Sequence, residues 1–410
     1  SHERTAPLDP ADLEQMKVAD GVARVLGSQD VVEYWKSAPY LVNLMKDYKI
    51  KRQLIDAVES GDPAIHDVLA NHDGALLREQ PFERYDEVLA ANPRLRQLIE
   101  ETVEPGLWRL LWMPPSCPYV EAGGAYAEVG PALTKRLIFS TWTVVPDAIA
   151  ALCSYAAERR MVERAENRPE YSRLNISVTQ PLRFQVSDGR YQGHYNLLLL
   201  YPSPALATAG DLMAQARPDE TLPLDPDVVH SRTSDRIRAA LSGAIPGWTE
   251  IEARSGGVPD QTWYWQAAAR LDAGTQAAQW AGNLTGWRTA IRKAESDDGA
   301  QSGFDEHVLN FVGAFDDEWT AHAGAPPEDT LDILTLLALG GPANCALRAL
   351  HRVVPELPLD NYQLLESSAQ IANGFRTLFD LPESYLMLRS EDDRRYWEAV
   401  LRYCIHGNLQ

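Results

Sequence analysis

The sequence predicts a mixed α/β fold, mostly α-helical, with one short layer of parallel strands. Three observations predict it. Apolar residues recur at near-helical spacing over residues 8–112 and again over 330–406. The stretch Lys135 to Met161, KRLIFSTWTVVPDAIAALCSYAAERRM, reads as a strand (Arg136 to Phe139), a loop (Ser140-Thr141-Trp142) and a helix started by Pro146. Two further apolar runs, Leu182 to Val186 and Tyr195 to Tyr201, read as strands on either side of Asp188-Gly189, a hairpin-type turn signal.

Taken in order, residues 8–60 read as helices. Val31, Tyr34, Trp35, Leu41, Leu44, Met45 and Tyr48 fall near helical spacing, and Pro39 marks a break or restart. Residues 61–112 continue as amphipathic helices with a buried face of Leu95, Leu98, Ile99, Leu107, Leu110 and Leu111. Residues 113–133 are rich in proline and hold the Gly123-Gly124 pair, a loop signature. The strand–loop–helix unit follows, and Pro204 then opens a short helix after Tyr201. From about 208 to 330, acidic and Pro/Gly-rich loops alternate with helices, and Trp248, Trp263, Trp265, Trp280 and Trp287 fall within forty residues. Leu331 to Leu339 forms a helix stopped by Gly340-Gly341 and restarted by Pro342 through Val354, and a last helix runs from after Ser390 to about His406. These signals divide the chain into 1–112, a helical bridge, 113–207, the part with strands, and 208–410, a helical insertion.

Composition bounds what the chain does. Its 410 residues are 45% hydrophobic and 23% charged, enough for two or three globular domains. No run of about 18 apolar residues is present, so no membrane span is expected, and the opening SHERTAPLDP has no apolar signal core. The net charge of −20 argues against a chain that grips a nucleic-acid backbone by itself. Cys117, Cys153, Cys345 and Cys404 are widely spaced, and free thiols point to a cytoplasmic setting.

The wording of Arg136 to Met161 resembles motif IV of superfamily 2 helicases and Swi/Snf-like DNA translocases, where "LIFS" followed by Gln or Trp opens the second RecA-like domain. Tyr34 to Leu41 (YWKSAPYL), Leu182 to Ser203 and Tyr396 to Leu409 resemble a group of large bacterial helicase-related proteins, some from phage-defence clusters. The resemblance implies a partial RecA-like parallel sheet layer plus a large helical insertion. It also implies a parent motor that uses ATP and Mg²⁺ and acts on double-stranded DNA. It makes Ser140, Thr141 and Trp142 the nucleotide- or DNA-proximal residues. The chain departs from the pattern by lacking GxxxxGK[ST], a DEAD or DEAH box and QxxGRxxR. No ATPase, cofactor or catalytic residue is therefore expected of this chain alone; its partners would be the rest of the motor, DNA through it, and a protein held by 208–410.

Residue by residue, Ser140 and Thr141 equally suit a cap of the next helix, and Trp142 suits core packing. Lys36, Lys135, Arg136, Arg183 and Arg190 are the candidate DNA contacts, with Tyr34, Trp35 and Tyr40 as flanking aromatics or as core. Arg159 and Arg160 suit a helix C-terminus. The five tryptophans suit either a partner surface or a helical core. His307 and His322, fifteen apart, match no metal-ligand spacing, and a metal-dependent hydrolase is the weakest of the readings. The alternative to a motor fragment is a stand-alone acidic helical module that binds another protein. Pairing of Arg136–Phe139 with Asn196–Leu200 in a parallel sheet would separate the two.

Overall fold

A computed structural model describes residues 7–28, 31–46, 48–130, 136–164, 181–182, 184–187, 190–193, 195–217, 219–253, 259–291, 298–315, 324–388 and 395–409. The chain forms two compact units, Ser1–Leu111 with Ala132–Val178, and Trp112–Pro131 with Thr179–Gln410.

The first unit is built of α1 (Pro10–Leu26), α2 (Val31–Ser37), α3 (Leu41–Leu44), α4 (Lys49–Glu59), α5 (Pro63–Asn71), α6 (Glu79–Glu83) and α7 (Pro93–Thr102). A short α8 (Gly124–Val129) belongs to the second unit, and α9 (Val144–Val162) returns to the first. Local chemistry starts α1 where it does. Asp9 accepts from the Ala11 amide, Asp12 accepts from the Asp9 amide, and Pro10 fills the first turn, where its missing N–H costs nothing. Asp12 is fully buried and clamps the Arg96 guanidinium through two bonds of 2.6 and 2.7 Å, tying α1 to α7. Burial alone would push the Asp12 carboxyl up; bonding to Arg96 and to the Asp9 backbone outweighs it and holds the group below its ordinary value. Val22, Leu54 and Ile65 join α1, α4 and α5 in one apolar cluster. Tyr34, Leu41 and Met45 join Val144, Val145 and Ala148 of α9 in another.

The second unit surrounds α19 (Thr330–Gly340), a helix apolar enough to be buried along most of its length. Its other helices are α10 (Asn196–Leu200), α11 (Pro204–Ala209), α12 (Leu212–Gln215), α13 (Pro226–Ala244), α14 (Trp248–Glu252), α15 (Trp263–Leu271), α16 (Gln276–Ala281), α17 (Leu284–Ile291), α18 (Asp298–Gly313), α20 (Pro342–Val353), α21 (Tyr362–Phe379), α22 (Pro382–Leu388) and α23 (Tyr396–His406). Helices α11, α13, α20 and α23 pack on α19. At Gly210, which ends α11, an added Cβ would lie 2.1 Å from the Ala338 carbonyl oxygen, so only glycine lets α11 approach α19 this closely. Arg348 of α20 is buried, and among the described residues no carboxylate pairs with it. It donates to the Ala338 and Leu339 carbonyls at 2.6 and 3.1 Å, where the C-terminal end of α19 supplies partial negative charge. All five tryptophans of the 248–287 group are buried, which makes them core.

The expected mixed α/β fold with a partial RecA-like parallel sheet layer is overturned. Residues 136–139 form no strand, and Asn196–Leu200 is a buried helix. Among the described residues the only sheet is a hairpin of β1 (Gln185–Ser187) and β2 (Arg190–Gln192), which is antiparallel with Ser187 opposite Arg190. The pairing brackets Asp188-Gly189, which lie outside the described residues. The run NLLLL was misread because a short continuous apolar run serves a buried strand and a core helix alike, and periodicity cannot separate them. Gly123-Gly124, expected in a loop, starts α8, with Gly124 at φ +49.

No single described helix is long and apolar enough to cross a membrane. Helices α19 and α20 pass the length and composition test only as a pair, bent by 41°.

Candidate functional site

Residues 136–143, which lead into α9, carry the residues singled out by the resemblance and lie in the first unit. Residues 136–141 are all exposed. Ser140 Oγ accepts from the Trp142 amide at 3.1 Å, closing the turn that leads into α9. The N-cap of α9 is Thr143, whose hydroxyl lies 2.9 Å from the Tyr48 hydroxyl. Trp142 is half-buried with its ring centroid 4.3 Å from that of Tyr34. Ser140 therefore shapes the turn, Thr141 faces solvent, and Trp142 fastens the loop to α2.

Beneath this loop lies a cleft of about 440 Å³. Its apolar wall comes from Leu95 and Leu98 of α7 and from Val145 and Ile149 of α9. One lip is Leu137-Ile138-Phe139, with Leu137 70% and Phe139 87% exposed. The polar edge holds Arg94, Gln97 and Glu101, and Arg136 pairs with Glu101 at 2.6 Å. Ser37 and Ser140 supply hydroxyls, but among the described residues no imidazole or thiol lines the cleft. The site can bind apolar groups.

Of the candidate DNA contacts, the side chains of Lys36 and Arg136 fall among the described residues. Lys36 is exposed on α2, and Arg136 is engaged by Glu101. Lys135 and Arg183 lie outside the described residues, as does the side chain of Arg190. Arg159 lies 3.3 Å from Glu163, and Arg160 is held by both oxygens of Glu104 at 2.7 Å, which raises its pKa. Acidic partners thus engage both Arg159 and Arg160 near the C-terminal end of α9. Tyr34 and Tyr40 are buried. The Trp35 indole donates to the Asp12 carbonyl at 2.6 Å and the Tyr40 hydroxyl to the Leu89 carbonyl at 2.7 Å, so these rings serve packing.

Among the described residues no three His, Cys, Asp or Glu side chains gather to hold a metal. His307 is buried with its ring 5.4 Å from Phe184, and His322 lies outside the described residues. The four cysteines are free, Cys117 exposed and Cys345 and Cys404 buried.

Sequence reasoning missed Leu137, Ile138 and Phe139 as surface residues, because three consecutive β-prone apolar residues read as a buried strand. Among the described residues no strand pairs with them, and they lie exposed. No family model matches the chain, and no solved structure matches it.

Proposed function

We propose that this chain is an acidic helical protein-binding module that docks a partner on the α7–α9 cleft. The observation that carries the proposal is the lip Leu137-Ile138-Phe139, three consecutive large apolar side chains held out to solvent beside an apolar wall. An exposed apolar cluster rimmed by polar groups is what an interaction surface requires. The partner supplies an apolar segment to the wall and polar groups to Arg94, Gln97 and Glu101. The net charge of −20 disfavours nucleic acid as that partner. The motor-fragment reading asked for 136–139 inside a parallel sheet. With that sheet absent among the described residues, the binding module is the better supported of the two.

Site-specific photo-crosslinking tests this in the cells that make the protein. A photoreactive phenylalanine at position 139 should yield one defined adduct, reduced by Leu98→Asp in the cleft wall. The same probe at Val353, 78% exposed on α20, should not. Equal adducts at both positions, or DNA-stimulated ATP hydrolysis by the purified chain, would defeat the proposal.

A further inference from the structure

The second unit contains a cation site that the first unit's cleft does not explain. The Arg395 guanidinium lies 4.8 Å from the centroid of the Tyr264 ring and 5.0 Å from that of Trp397. It also donates to Asp329 Oδ2 at 2.6 Å. Two aromatic faces and the Asp329 carboxylate, with Glu398 Oε2 further off at 3.4 Å, surround one guanidinium and make a complete cation-recognition set.

Contacts besides those of Arg395 hold the groups of the cage. Tyr264 and Trp397 are buried side chains, and Tyr195 stacks on Trp397 at 5.4 Å and 13° and meets Tyr264 edge-on at 5.9 Å. The Tyr264 hydroxyl donates to the other Asp329 oxygen at 2.5 Å, which fixes the carboxylate. Asp329 is the N-cap of α19, yet its side chain makes no capping bond. Aspartate is among the best N-caps; here the carboxylate is committed to the cage, while its own helix start goes without it. Arg395, by contrast, is the N-cap of α23 with extended backbone, and its side chain is 31% exposed. Rotation about its side-chain bonds would vacate the cage without breaking a helix.

We propose that Tyr264, Trp397 and Asp329 form a guanidinium-binding cage that Arg395 fills as an internal plug, and that takes a guanidinium from another molecule when Arg395 swings out. The chain's negative charge favours a cationic ligand. Asp329 and the flat ring faces suit a planar fork better than a compact, strongly hydrated ammonium.

The test uses the full chain with Arg395→Ala and the milder Arg395→Gln, which keeps part of the stem. N-acetylarginine methylamide is titrated, with tryptophan fluorescence and thermal shift as readouts. Agmatine and N-acetyllysine methylamide are the comparison probes. Both Arg395 variants should bind the arginine probe, and wild type should bind it roughly tenfold more weakly, because the plug competes at a high effective concentration. The lysine probe should bind more weakly than the arginine probe, and adding Asp329→Asn to either variant should abolish binding. Preference for the arginine amide over agmatine assigns the natural ligand to an arginine in a protein segment, whereas equal binding assigns it to a free guanidinium compound. The proposal is overturned if a folded Arg395 variant gives no response at millimolar probe, or if wild type responds as strongly as the variants.

Discussion

Asp272 should make the second unit less stable as pH rises from acid to neutral, the reverse of an ordinary paired carboxylate. Its side chain ends α15 and is 1% exposed. It accepts from the Tyr201 hydroxyl at 2.9 Å and from the Ala205 amide at 3.0 Å. Burial dominates and pushes its pKa from 3.8 up to about 6, with the bonds from Ser203, Ala205 and Tyr201 offsetting part of that rise and Asp360 adding to it. Because the folded value lies above the unfolded one, the folded chain holds a proton that the unfolded chain has lost between those two values. The stability that this proton represents is complete below pH 3.8 and is gone above about pH 6. The full window corresponds to about 3 kcal/mol, of which about 2 kcal/mol falls between roughly pH 4.5 and 7. Asp272→Asn removes the titration while keeping a carbonyl for the Ala205 amide. Urea unfolding of both proteins, followed by tryptophan fluorescence at steps across that range, should show the advantage of wild type over the variant shrinking by about 2 kcal/mol as pH rises. Parallel pH profiles for the two proteins would refute the reasoning.

Two further substitutions probe the packing. Gly210→Ala should lose about 3 kcal/mol, the upper end of overpacking costs, because the atom it meets is the Ala338 backbone carbonyl and not a flexible side chain; a loss below about 0.5 kcal/mol in urea unfolding would mean that α11 slides off α19 cheaply. Asp12→Ala should cost about 3 kcal/mol at neutral pH by taking the carboxylate from the Arg96 guanidinium, which keeps the Ala90 and Pro7 carbonyls as acceptors. The folded pKa of Asp12 lies below its unfolded value, so its contribution is present above pH 3.8 and is lost as pH falls through that lowered value. Wild type and Asp12→Ala should therefore converge in stability under acid, and an unchanged gap there would contradict the linkage.

Local signals in the sequence were reliable where a few neighbouring residues decide the outcome. The stop at Gly340-Gly341 and the restart at Pro342 match the ends of α19 and α20. Pro204 opens α11, Pro39 separates α2 from α3, and the last helix ends at His406 as its spacing indicated. The five tryptophans, which suited a partner surface or a helical core alike, are core. The candidate site was legible only in part. Ser140, Thr141 and Trp142 were correctly seen as a loop between an apolar run and a helix, yet the run itself is surface.

The sequence by itself determined a predominantly helical, acidic chain, the helix punctuation, and the absence of any apolar stretch long enough to span a membrane. Tertiary structure decided what the ambiguous apolar runs became. Asn196–Leu200 is helical because α20 and α21 bury it, while 136–139 stays outside the core because no strand in the described fold pairs with it. Backbone groups of a strand need partners from elsewhere in the chain, whereas a helix satisfies its own. Strand formation is therefore a property of the assembled fold, and no window of neighbouring residues could settle it. The same holds for the cage at Arg395, whose rings and carboxylate come from four distant stretches of the chain and meet only after folding.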